Sequence, residues 1–172
     1  NKNLRTNFNV VFLFFLSFGS IKAQVTTNSG SGLAPAYPSL NAALTALNAA
    51  SITSPVVITL SGNETAPAGG YVITAQSTAV NTITVQGNAS TITASAAHTV
   101  GALNDAIFKL IGADYITLQS FTMQENGANT VTTVASNNMT EWGVSLLYAS
   151  ATNGAQNNII QNNTISLNRS YT

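Results

Sequence analysis

Leu40, Ala43, Leu44 and Leu47 recur at i, i+3, i+4 and i+7, which places them on one face of a helix. Ser39 stands just ahead of this stripe, where its hydroxyl can accept from a first-turn amide that lacks a partner inside the helix. The pattern predicts a capped helix over 39–49. From Pro55 onward helical spacing disappears and apolar residues alternate with Thr, Ser and Gln, as in Val57-Ile58-Thr59-Leu60, Tyr71-Val72-Ile73-Thr74, Thr82-Ile83-Thr84-Val85 and Thr91-Ile92-Thr93. Such runs, punctuated by Gly and Asn, predict short β-strands. Their spacing suits a sandwich, a barrel or a coiled solenoid.

Self-similarity separates these architectures. The segment 81–87, Asn-Thr-Ile-Thr-Val-Gln-Gly, recurs at 114–120 as Asp-Tyr-Ile-Thr-Leu-Gln-Ser, with Ile, Thr and Gln in register at an offset of 33. A looser copy at 157–165 places Ile160-Gln161 where Leu118-Gln119 stood, 42 residues further on. Unequal offsets fit stacked coils interrupted by loops, each coil closing the apolar side of its neighbour. Inward Ile, Val and Leu would then form columns, and Asn at the corners would pair its amide from coil to coil.

At the N-terminus, Lys2 and Arg5 precede the apolar run Val10 to Leu16, followed by Gly19, Ser20 and Ala23. A charged start, a short apolar stretch and a small-residue exit predict a secretory signal peptide over 1–23, since the run is too short to cross a bilayer. Residues 24–36 read as a linker without periodicity. No later run approaches membrane-spanning length, so no membrane span is expected after cleavage. The chain carries five Lys plus Arg and five Asp plus Glu, and Asn, Thr and Ser number 21, 23 and 17. So few cations exclude a nucleic-acid partner, which requires a basic face. Cysteine is absent, so core packing and hydrogen-bond ladders must hold the fold, and a bacterial envelope or secreted protein is favoured over a disulfide-stapled module.

The segment 154–167, Gly-Ala-Gln-Asn-Asn-Ile-Ile-Gln-Asn-Asn-Thr-Ile-Ser-Leu, resembles the repeat of the pectin-lyase-like right-handed parallel β-helices. Tyr37-Pro38-Ser39-Leu40 with its helix, and the Gly70-Tyr71 strand, are similar to the N-terminal cap and first coil of that superfamily. Together with 108–119 and Thr140-Glu141-Trp142-Gly143, the pattern resembles large exported surface proteins of Bacteroidetes. The resemblance implies an all-β fold, a right-handed parallel β-helix solenoid with an N-terminal capping α-helix over 37–172. Because the chain begins at Asn1 and stops just after a repeat copy, it reads as an N-terminal fragment whose coils continue.

The superfamily includes lyases, hydrolases and non-enzymatic surface proteins, so function depends on the site. The acids Glu64, Asp105, Asp114, Glu125 and Glu141 show no spacing that puts two on one strand face, and a catalytic pair would have to come from different coils. With one His and no Cys, no metal ligand set is expected, and no glycine pattern points to a nucleotide; the cofactor expectation is none. Arg169 reads as a solvated loop residue. Tyr115, Trp142 and Tyr148 are the candidate ligand-binding residues, because an exposed ring offers an apolar face to a sugar; the competing reading is coil-edge packing. The expectation is a non-catalytic secreted or cell-surface segment used for adhesion or contact with a polysaccharide or cell-surface glycan. The alternative is the N-terminal part of a polysaccharide lyase or hydrolase with its site on later coils.

Overall fold

The computed structural model describes residues 24–96 and 98–168. The predicted signal segment and Arg169 lie outside them. In chain order the strands begin with β1 (Val25–Thr27) and β2 (Ala36–Tyr37), followed by helix α1 (Leu40–Ala49). Next come β3 (Val56–Leu60), β4 (Glu64–Thr65), β5 (Tyr71–Ile73), β6 (Ile83–Gln86), β7 (Thr91–Thr93) and β8 (Ala106–Ile111). The last five are β9 (Ile116–Gln119), β10 (Thr122–Gln124), β11 (Trp142–Leu147), β12 (Ile159–Gln161) and β13 (Thr164–Ser166).

The Ser39 hydroxyl accepts from the Ala42 amide at 3.2 Å, and the helix buries the stripe Leu40, Ala43, Leu44 and Leu47. A second acceptor completes its first turn: the Glu64 carboxylate takes the Leu40 N–H at 2.9 and 3.2 Å and the Tyr71 hydroxyl at 2.7 Å. An anion at a helix N-terminus also meets the positive end of the helix dipole.

The strands fall into three sheets. One has the order β12-β9-β6-β3-β1-β2, a second β13-β10-β7-β4 and a third β11-β8-β5. Apart from the antiparallel pairings of β1 with β2 and β3, neighbours are parallel. The sequence repeats are pairing registers: Ile83, Val85 and Gln86 lie opposite Ile116, Leu118 and Gln119, and Leu118 and Gln119 lie opposite Ile160 and Gln161. Aliphatic columns result, such as Ile58-Val85-Leu118-Ile160 and Ile92-Met123-Ile165. Within the third sheet Tyr71 stacks on its cross-strand partner Phe108 at 5.1 Å between ring centres, and Phe108 meets Phe121, which lies between β9 and β10, at 5.2 Å. An amide ladder runs beside the core: Gln86 donates to Thr59, Gln119 to Gln86 and Gln161 to Gln119.

The expected all-β right-handed parallel β-helix requires correction. The content is mixed α/β, the strands belong to three separate sheets of six, four and three strands, and the described residues form no closed solenoid. A repeat in sequence reports which side chains stack. It says nothing of how the intervening chain closes, and here the strand-free stretches 94–105 and 125–141 and the antiparallel β1–β2 edge interrupt any regular coil. Residues 24–36, aperiodic in sequence, supply β1 and the first residue of β2, and Val25 is fully buried. β1 buries only its first residue, Val25, ahead of Thr26 and Thr27, and β2 has two residues, so neither displays an apolar–polar alternation.

Candidate functional site

β11 is the outermost strand of its sheet, so residues that would be inward on an inner strand are uncovered on it. Trp142, Val144 and Leu146 lie opposite Ala106, Phe108 and Leu110, all three of which are buried, whereas Trp142 is 45% and Leu146 49% exposed. The Trp142 indole N–H donates to the Leu103 carbonyl at 3.3 Å, which fixes one edge of the ring and leaves part of it to solvent. A groove of about 360 Å³ runs along the strand, lined by Asn104, Trp142, Val144, Ser145, Leu146 and Leu147. Tyr148 follows the strand, 75% exposed. Its ring lies over Gly154, where an added Cβ would sit 2.9 Å from Cε1.

Tyr115 is placed differently. It precedes β9, half-buried, with φ +55°; its amide donates to the Gln156 carbonyl at 3.1 Å and its carbonyl accepts from the Ile83 amide at 3.1 Å. The loop 149–156 thus touches both tyrosines, at Gly154 and at Gln156. Trp142 opens β11 and lines its groove, and Tyr148 follows directly on the end of the strand; Tyr115 belongs to the turn into the largest sheet.

Four of the five acids are occupied with the chain's own polar groups, and the fifth, Asp105, keeps one carboxylate oxygen buried without a hydrogen-bond partner. Glu64 serves the helix and Tyr71, and burial together with the Glu64 carboxylate pushes the Tyr71 phenol well above its ordinary value. Asp114 accepts the Gln156 amide at 2.8 Å. Glu125 accepts from the Thr140 amide and hydroxyl at 3.0 and 2.8 Å and from the Asn129 side chain at 2.7 Å. Glu141 accepts the Asp105 amide at 3.0 Å, and Asp105 Oδ1 lies 3.6 Å from His98 Nδ1, whose Nε2 contacts the Thr140 hydroxyl at 2.9 Å. Asp105, Thr140 and Glu141 are at most 4% exposed. Hydrolysis of a glycosidic bond needs two carboxyl groups flanking an accessible bond. This cluster is closed to a polymer, and its members tie the 94–105 and 125–141 segments to each other.

That cluster is the feature sequence reasoning missed. Asp105 and Glu141 each immediately precede a strand, and Ala106 and Trp142 are cross-strand partners, so the two acids occupy equivalent places in adjacent strands. Recognising the 36-residue register of β8 and β11 would have brought them together. Among the described residues no group of three or more His, Cys, Asp or Glu is placed to hold a metal ion, and no helix is long and apolar enough to cross a membrane. Compared with known proteins, the chain matches no family model and shows no significant similarity to a curated sequence or a solved structure. The comparisons do not identify the pectin-lyase-like resemblance, and the functional reading rests on this chain's own residues.

Proposed function

We propose that the chain is an exported, non-catalytic segment that contacts a polysaccharide or cell-surface glycan along β11. The observation that carries this reading is the placement of two exposed rings, Trp142 and Tyr148, at the two ends of one strand with an apolar groove beside it. Six residues of extended chain separate their Cα atoms by about 20 Å, which suits an oligosaccharide stretch and exceeds a single sugar. Exposed rings give sugars apolar faces to stack on, and Asn104 supplies a polar side chain in the groove. Export is supported by the charged, apolar and small-residue succession of 1–23. The absence of catalysis is supported by carboxylates that are buried or engaged in structural hydrogen bonds.

The test is incubation of the chain with pectate, alginate and neutral glucans in the presence of calcium, following both retention on the polymer and the release of new ends. Retention weakened about fivefold by Tyr148→Ala or Trp142→Ala, with no new reducing or unsaturated ends, is the expected result; about fivefold corresponds to 1 kcal/mol, an ordinary ring-stacking contribution. Release of such ends, abolished by Asp105→Asn or Asp114→Asn, would overturn it.

A further inference from the structure

A second surface, which adjoins the β11 groove and shares Trp142 and Val144 with it, lies where β12 and β13 form the outer edges of their sheets. Two aliphatic columns that reach this edge are fully buried on the inner strands and uncovered at their last member. Val85 and Leu118 are 0% exposed but Ile160 is 40%; Ile92 and Met123 are 0% exposed but Ile165 is 48%. Ile165 sits over Gly143, where a Cβ would come within 2.8 Å of its Cδ1, and with Val144, Ile160 and Leu167 it lines a cavity of about 430 Å³. The amide ladder ends on the same edge: Gln161 donates to Gln119 at 2.8 Å, and its own amide oxygen is the outermost acceptor of the series.

We infer that this edge docks an uncharged polypeptide strand pair bearing the chain's own repeat chemistry, added in parallel to β12 and β13. The occupant is specified by continuity with interfaces the chain already makes. The register of β6 on β9 and of β9 on β12 repeats aliphatic on aliphatic and Gln on Gln, and β7, β10 and β13 repeat the aliphatic column alongside. Asn supplies the corner contacts, Asn158 and Asn163 accepting the Ile116 and Phe121 amides at 2.9 and 3.0 Å and donating to the Ala113 and Leu118 carbonyls. A segment with Asn, Ile and Gln at those spacings therefore offers a Gln amide to Gln161, Ile over Ile160 and Ile165, and Asn side chains to the edge backbone. Such matched ladders are the contacts that favour in-register parallel stacking. The stretch 155–168 holds no charged residue, so the partner chemistry is amide and aliphatic. Head-to-tail stacking of two whole copies is disfavoured, since the opposite end of the largest sheet is the antiparallel β1–β2 edge and α1 packs beside β2.

The test is fluorescence anisotropy of a labelled peptide with the sequence of residues 155–168, titrated with the full chain. Saturable one-to-one binding is expected, weakened about tenfold or more by Ile165→Asp and about threefold by Gln161→Ala on the protein. Salt between about 50 and 500 mM should change it less than twofold, because no charge is screened. Tyr148→Ala should leave it unchanged, which separates this surface from glycan contact. Absence of saturation, equal binding of a scrambled peptide, or insensitivity to both Ile165→Asp and Gln161→Ala would overturn the inference. So would a chain dimer in sedimentation that Ile165→Asp abolishes and the peptide does not disperse, since the occupant would then be a second copy.

Discussion

Replacing Glu64 with Ala removes an acceptor shared by two elements, and the structure sets the size of the loss. The carboxylate holds the Leu40 amide at 2.9 and 3.2 Å and the Tyr71 hydroxyl at 2.7 Å, and Tyr71 is fully buried. Hydrogen bonds to charged groups contribute about 1.5–3 kcal/mol each, and a half-buried carboxylate belongs at the lower end, so Glu64→Ala should cost about 3 kcal/mol. Tyr71→Phe removes only one of these bonds and should cost about 1.5 kcal/mol. With Glu64 already absent, the same Tyr71→Phe change discards a buried hydroxyl without its acceptor and should be neutral or stabilising. The coupling across the double-mutant cycle is then about 1.5 kcal/mol, well outside the 0.3–0.5 kcal/mol scatter of independent sites. Urea unfolding followed by circular dichroism measures all four proteins. Additive losses, or a Glu64→Ala cost below about 0.5 kcal/mol, would refute the shared-acceptor argument.

The same pair has a pH signature: Tyr71 binds its proton more tightly folded than unfolded, so the unfolded chain loses that proton first as pH rises past the ordinary tyrosine value of about 10, and stability should fall with pH above it. Urea midpoints on either side of that pH should show a fall that Tyr71→Phe reduces. Gly70 has φ +83°, and a Cβ there would run into the Ala106 carbonyl and lie 3.0 Å from that of Ile107, whereas Gly69, φ +80°, has nothing within 4 Å. Thermal unfolding should therefore rank Gly70→Ala, at about 3 kcal/mol, well above Gly69→Ala, at about 1 kcal/mol, the difference being the backbone clash between adjacent strands. Gln119→Ala breaks the middle of the amide ladder, which joins Gln86 and Gln161 through it at 3.1 and 2.8 Å, and should cost about 1–2 kcal/mol by the same unfolding assay.

The parts of this structure that are legible in the sequence are those in which one residue type recurs at a structural period. Leu40, Ala43, Leu44 and Leu47 announce the helix because a helix repeats them on one face, and Ile83, Ile116 and the Gln column announce their register because parallel strands stack like on like. The three-sheet arrangement is not legible. It depends on where strand-free segments such as 125–141 carry the chain, and those segments are held by bonds between Glu125 and Thr140 and between Glu141 and Asp105 that have no local signature. β1 escapes notice because three residues with one buried valine show no alternation. At the candidate site, the aromatic identities could be read from the sequence. Their separation into a Trp142–Tyr148 strand and a Tyr115 turn could not, because it depends on β11 being an outer strand.

Trp142 is the only tryptophan in the chain, so its emission reports directly on the site that the functional reading names. Titrating the chain with soluble glucan, pectate and alginate fragments, at low and high salt, should produce with at least one of them a saturable blue shift or quench that is insensitive to salt and weakened in Tyr148→Ala. Unchanged emission with every glycan, or a change that Tyr148→Ala leaves intact and salt abolishes, would contradict glycan contact along β11.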